Sequence, residues 1–279
     1  MTAFAPMAFF FSAVYSEALY LALSVGLFWC ARQGRWAWVG VLGVLAAATR
    51  STGIVLLAPA LMLYLYGPRE DRTPDFARAR ATFMDRFRPR YRPRLNVLWL
   101  AIVPVGLGAY MAYLGLAGGD PLSPLHTQDV WGRHFAGPYL GVWDGVKAAF
   151  EGARQLLSGQ SRHVYFQAAG GSPAIAAGHN LMLLAFLCAA VPLVVIALRV
   201  LPLAYGAYTV VALALPLSFP VAAQPLMSLP RFLVVLFPLS MALASYLAVR
   251  PRARVGVLAV SALLMAVFVA QFATWHWVA

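Results

Sequence analysis

The sequence predicts an all-α, polytopic membrane protein with seven or eight membrane segments, and three features point that way. Of its 279 residues, 62% are hydrophobic and 11% are charged, giving a mean hydropathy of +0.75. A soluble domain of this size has no use for so much apolar surface. Several apolar runs approach the roughly 20 residues that cross a bilayer as a helix. The arginines gather in short stretches between those runs, where the positive-inside rule expects them. The net charge of +12 is thus a matter of loop placement, and no nucleic-acid partner is expected.

The first apolar segment covers Ala8 to Cys30 and stops at Ala31-Arg32-Gln33-Gly34-Arg35. The next, Trp36 to Tyr66, is interrupted by Arg50-Ser51-Thr52-Gly53. If it turns there as a hairpin, each arm has about 14 residues and spans roughly 21 Å, short of a full crossing. A single kinked helix is the competing reading, but it puts one arginine loop on the wrong side. A basic loop follows from Gly67 to Arg94, ending in Arg86-Phe87-Arg88-Pro89-Arg90-Tyr91-Arg92-Pro93-Arg94. Further spans read as Leu95 to Ala117, Asn180 to Leu198, Leu201 to Phe219, Phe232 to Val249 and Val255 to Thr274.

Arginine placement orients these spans. Arg32, Arg35, the 67–94 loop, Arg199 and Arg250-Pro251-Arg252-Ala253-Arg254 belong in the cytoplasm. The 118–179 loop then lies outside, with Asp120, Asp129, Asp144 and Glu151. Within it Trp143, Val146, Phe150, Ala153 and Leu157 recur at helical spacing, which predicts an amphipathic helix over Tyr139 to Leu157 suited to a membrane surface. The segments 50–53, 220–231 and the terminal Trp275-His276-Trp277 share that outer side. The whole chain reads as one integral membrane domain of a bacterial plasma membrane; its abundance of Ala, Arg and Gly suits a GC-rich genome.

Some functions are excluded. Cys30 and Cys188 lie in or beside apolar runs, so there is no disulfide framework and no cysteine metal motif. His126, His134, His163 and His179 lack metal-ligand spacing, and no metal site is expected. Gly118-Gly119-Asp120 and Gly170-Gly171 read as turns, not phosphate loops. No basic stretch follows Met1, so no cleaved signal peptide is expected.

The ionisable residues inside or beside the spans carry the functional argument. On a helix Glu17 stands about 20 Å from the cytoplasmic edge at Cys30, and Arg50 stands at nearly the same height above Trp36. Two opposite charges at one depth neutralise each other. They either fix the packing of the first helix against the hairpin or line a site. Arg231, in Ser228-Leu229-Pro230-Arg231, and Arg133, after Trp131-Gly132, stand at the outer headgroup level. There a guanidinium binds a lipid phosphate through paired N–H donors or simply snorkels.

These same residues resemble a known family. Pro6, Phe10-Phe11-Ser12 and Tyr15-Ser16-Glu17-Ala18-Leu19-Tyr20, then Arg50-Ser51-Thr52-Gly53, resemble the PIG-V family of GPI mannosyltransferases and their bacterial relatives. Gly119-Asp120-Pro121-Leu122, Gln128 and Trp131-Gly132-Arg133 fit as well, as do Ser228 to Arg231 and Phe237-Pro238. The resemblance implies a GT-C-like fold and a glycosyltransferase, typically a mannosyltransferase. Such an enzyme uses a polyprenyl-phosphate sugar as donor and no cofactor, and transfers to an acceptor on the extracytoplasmic face. It implies substrate contacts from Tyr15, Ser16, Glu17, Arg50, Gln128, Trp131, Arg133 and Arg231, with Asp120 and Glu17 as the candidate catalytic acids. The family's first outer loop carries a Trp-Asp motif, and no such motif precedes Pro6. The expectation is therefore a chain that matches the C-terminal part of the enzyme and is inactive by itself. Two other classes compete: a non-catalytic membrane partner that binds lipid-linked sugar, and a transporter, for which an internal repeat is wanting.

The arginine distribution makes a topological prediction. A cysteine placed at Ser158 reacts with an impermeant maleimide added from outside, and one at Thr73 does not. The reverse pattern sinks the sidedness argued above.

Overall fold

A computed structural model of the protein describes residues 1–76, 88–130, 132–165, 172–276 and 278. Its regular elements are all helical among the described residues. Three helices are long and apolar enough to cross a membrane: 95–118, 173–200 and 251–273. A fourth counts if the bent pair 229–235 and 237–248 is one broken span. The apolar helices at 36–49, 51–66 and 203–217 are shorter. Seven or eight full crossings are thus more than the helices show by length; three of the expected segments are short ones. The chain divides into two compact units.

One unit comprises Phe11–Leu122 with Ile196–Val211. Its helices are α1 (Glu17–Arg32), α2 (Trp36–Thr49), α3 (Leu57–Tyr66) and α4 (Val103–Gly118). A 3₁₀ segment, Ser51–Leu56, leads into α3, and another, Leu95–Ile102, leads into α4. The hairpin reading holds: the Trp36 ring at the start of α2 meets the Tyr64 ring near the end of α3, centroids 4.5 Å apart. Between them Gly53 lies on the backbone of Ala46 and Ala47, where no Cβ fits. Small residues likewise let α4 reach α2. A Cβ on Gly106 would fall on the Val44 carbonyl, and one on Gly43 would strike Val103. In lipid, where burial of apolar area drives little, such close backbone approach is what holds helices together.

The expected 8–30 span begins later than the apolar pattern suggests. Thr2–Phe4 and Ala8–Phe11 are 3₁₀ turns, and α1 starts only at Glu17. Tertiary packing overrides the apolar run here. The Phe9 and Phe10 rings stack on each other at 4.4 Å and both lie against Phe272, at 5.3 and 5.9 Å. A second difference lies in the expected 232–249 span. It is broken at Leu236 and bent by 72°. Pro238 is the physical cause, since it has no N–H to donate to the Val234 carbonyl and its ring clashes with that carbonyl in a continuous helix.

The basic loop is held by one guanidinium. Arg69 stands over the rings of Trp36, Tyr64 and Tyr91, at 4.7, 4.8 and 5.1 Å. It donates to both oxygens of Asp71, at 2.9 and 2.6 Å, and to the Tyr64 carbonyl at 3.1 Å. Residues 77–87 of this loop lie outside the described residues.

The other unit comprises Met1–Phe10, Ser123–Val195 and Ala212–Ala279. It holds α5 (Ser123–Val130), α6 (Pro138–Ser158), α9 (Leu229–Val235), α10 (Phe237–Ala248) and α11 (Pro251–Ala273). Most of α7 (Pro173–Val200) and the last turns of α8 (Leu203–Leu217) also belong to it. The amphipathic helix is α6, within one residue of its expected ends. Its packed face is small: Gly141 sits on the Leu217 carbonyl and Gly145 against the Leu226 side chain. Its bulky face, Trp143, Val146, Phe150 and Leu157, is exposed, as a membrane-surface helix requires.

Asp71 links this loop to pH. The hydrogen bond from Arg69 holds its carboxyl below the ordinary aspartate range, and the positive charge of Arg69 adds to this. A depressed folded pKa gives stability that is present above the unfolded value and lost as pH falls through the folded one. The expected melting temperature in detergent therefore drops below about pH 4, and Asp71→Asn removes that component of the acid sensitivity. Arg69→Ala costs roughly 2–3 kcal/mol at neutral pH. An unchanged acid profile in Asp71→Asn refutes the assignment.

Candidate functional site

Glu17 is the first residue of α1, not a mid-helix residue. There the partial positive charge of the helix N-terminus favours a carboxylate. Its side chain is 1% exposed, and Oε1 accepts a hydrogen bond from Nη1 of Arg50 at 2.8 Å. Arg50 is extended, capping the end of α2, so the hairpin turn itself carries the guanidinium to Glu17. The same guanidinium lies over the Tyr20 ring at 5.9 Å. Below it the Tyr208 hydroxyl donates to that of Tyr20 at 3.4 Å, and Phe28 packs on the Tyr205 and Tyr208 rings. The equal heights argued from the sequence do bring the two charges together. A carboxylate this buried is placed to fix packing. Tyr15 is half exposed, and Ser16 is the N-cap of α1 with no side-chain capping bond.

Asp120 closes a turn in this unit. Gly119 takes φ +76 at the end of α4, and Asp120 Oδ1 accepts the Leu122 N–H at 2.9 Å. That is an Asx turn, a sufficient local reason for an aspartate there.

The second group of expected residues lies in the other unit. Gln128 turns back on its own helix, donating to the Pro124 carbonyl at 3.1 Å. Its carbonyl accepts the Arg133 N–H at 3.0 Å, across a turn in which Gly132 takes φ +62. Beyond it, Ala136 N–H bonds the Ser218 carbonyl at 2.9 Å and Phe135 meets the Phe219 ring. The loop carrying Arg133 is thus tied at both ends. Trp131 lies outside the described residues.

Arg231 is in the first turn of α9, which Ser228 opens in the left-handed region at φ +66. Its guanidinium lies over the rings of Phe10 and Phe232, each at 5.8 Å. Arg133 lies near enough to Arg231 to feel its charge. Burial pushes the Arg133 guanidinium below its ordinary range, and the positive charge of Arg231 pushes it the same way. Its Nε is buried and has no hydrogen-bond partner among the described residues. Two half-buried guanidiniums side by side repel, and an anion between them turns that repulsion into binding.

An apolar cavity of about 430 Å³ is lined by Pro230, the chain neighbour of Arg231, and by Leu233, while neither Arg231 nor Arg133 lines it. Met7, Phe186, Leu193, Leu243 and Phe268 contribute to its walls. That volume lies within the roughly 300–1,000 Å³ range of ligand pockets. Neither Glu17 nor Arg50 lines it. Among the described residues no group of three His, Cys, Asp or Glu side chains is arranged to hold a metal ion. No family model, no curated protein and no solved structure matches the chain.

The buried pair makes a stability prediction. Glu17→Gln or Arg50→Gln alone strands a charge in the interior and costs about 3 kcal/mol. The double substitution costs clearly less than the sum, a coupling on the order of 1.5 kcal/mol or more in a double-mutant cycle of thermal unfolding. Additive effects exclude the coupling.

Proposed function

We propose that the chain is a membrane glycosyltransferase of the GT-C type, transferring a mannose-like sugar from a polyprenyl phosphate to an acceptor hydroxyl on the extracytoplasmic face of a bacterial plasma membrane. The observation that carries this reading is the arginine pair, one member of which follows a residue that lines the apolar cavity. A polyprenyl-phosphate sugar combines a long hydrocarbon chain, one phosphate and one sugar. The cavity suits the hydrocarbon, and Arg133 with Arg231 suits the phosphate. The residue resemblance set out above supplies the transfer chemistry.

In that chemistry the acceptor oxygen forms a bond to the anomeric carbon. The bond from that carbon to the phosphate oxygen breaks, and its electron pair leaves on the polyprenyl phosphate. The acceptor proton passes to a base. Charge grows on the departing phosphate, which is where a pair of preorganised guanidiniums lowers the barrier. Asp120 remains the candidate for the base. Glu17, buried against Arg50, favours a second reading in which the chain binds lipid-linked sugar without transferring it.

The test uses the full chain in membranes with polyprenyl-phosphate mannose. Arg133→Gln and Arg231→Gln each weaken donor binding by about 10- to 100-fold, the worth of one hydrogen bond to a charged group. Donor binding with sugar transfer supports the enzyme. Binding without transfer supports the second reading. Donor affinity unchanged in both variants refutes the phosphate role and the proposal with it.

A further inference from the structure

A second cavity, of about 140 Å³, lies in the same unit as the arginine pair and has the opposite character. Its charged wall is one edge of α6: Asp144, Lys147 and Glu151, at helical spacings of three, four and seven, stand over one another. His134 closes one side, the residue next to Arg133 in the chain. The segment from Pro220 to Pro225 forms the floor, with Val221 and Ala222. Among the described residues Asp144, Lys147 and Glu151 make no ion pair with one another within 4.0 Å. They line the cavity, and no hydrogen bond or ion pair to another described residue takes up their side chains.

The volume decides what fits. One water needs roughly 10–15 Å³ by this kind of measure, and a drug-sized ligand fills about 300 Å³ or more. A cavity of about 140 Å³ lies between them, the size of one small ring with its substituents. The chemistry decides the class. Two carboxylates accept from hydroxyl groups, an ammonium and an imidazole donate to hydroxyl oxygens, and the proline floor offers C–H surface to a ring face. Two carboxylates against one ammonium leave the lining net negative, so it does not select a phosphate as the arginine pair does. Asp144 and Glu151 are half-buried and Lys147 is exposed, so the cavity opens to solvent on one side.

We infer that this cavity is a monosaccharide subsite that holds one neutral pyranose ring through its hydroxyl groups, with Asp144 and Glu151 as acceptors and Lys147 and His134 as donors. The inference rests on the glycosyltransferase reading for its biological meaning, but not for its test. The sugar comes either from the lipid-linked donor or from the acceptor, and the chemistry is the same for both.

The test uses the full chain in lipid nanodiscs, with methyl α-mannopyranoside, polyprenyl phosphate and polyprenyl-phosphate mannose as probes. The wild type binds the glycoside, and Asp144→Asn combined with Glu151→Gln weakens that binding at least about tenfold. Ala222→Met, which fills the cavity from its floor and alters no charge, has the same effect, so a double variant that fails to fold does not leave the matter open. If the donor sugar occupies the subsite, the wild type prefers polyprenyl-phosphate mannose to bare polyprenyl phosphate and the variants lose that preference. If the acceptor sugar occupies it, the preference is kept while the glycoside affinity falls. Glycoside binding and donor preference both unchanged in folded variants overturn the inference. Glycoside binding that depends on these residues, in a wild type that transfers no sugar, upholds the subsite and refutes the glycosyltransferase reading. Transfer that survives with glycoside binding untouched does the reverse.

Discussion

The bond from Arg50 to Glu17, 2.8 Å long and almost closed to solvent, is the constraint around which one unit of this protein is arranged. An isolated charge in an apolar interior is costly, and a pair is tolerable only when geometry is good and the remaining polar groups are satisfied. Three local features supply that geometry. Glu17 sits at the start of α1, where the helix termini bias favours a negative charge. Arg50 sits at the turn of the α2–α3 hairpin, extended and just past the end of α2. The Tyr20 ring lies under the guanidinium. Shift the start of α1 by a turn, or lengthen α2 by one, and the two charges part.

The same accounting runs through the rest of the chain. Where water is excluded, each polar group needs a partner from the protein. Ser24, Thr209 and Ser218 return their hydroxyls to carbonyls three or four residues back in their own helices. Arg69 is surrounded by three rings and a carboxylate. Against that background Arg133 stands out. It is buried enough to be destabilised as a cation, and the positive charge of Arg231 adds to this. Arg50 and Arg69 each have a carboxylate beside them.

How much of this was legible in the sequence depends on the range of the interaction. The α6 helix was readable because its pattern is local and its period is 3.6 residues. The hairpin and the Glu17–Arg50 pair were readable because charge placement sets depth, and depth is one coordinate that a sequence gives directly. The late start of α1 was not, since Phe9 and Phe10 look like span residues until Phe272 is seen to take them. The break at Leu236 had its signal in Pro238, which the apolar run masked. The Arg69 cage draws its rings from Trp36, Tyr64 and Tyr91. Nothing in the sequence joins those three.

The polar cavity shows the limit most clearly. Asp144 and Glu151 were visible as acids of an outer loop, and His134 as a histidine without metal-ligand spacing. What makes them a cavity is the Pro220 to Pro225 segment, brought over α6 because Gly141 and Gly145 let Leu217 and Leu226 approach its backbone. A helix with larger residues at those positions would keep the same charged edge and lose the floor. The two glycines therefore do for the carboxylates what the hairpin turn does for Arg50. They set the distance at which a charged group meets its surroundings, and in this unit that distance leaves room for a ligand.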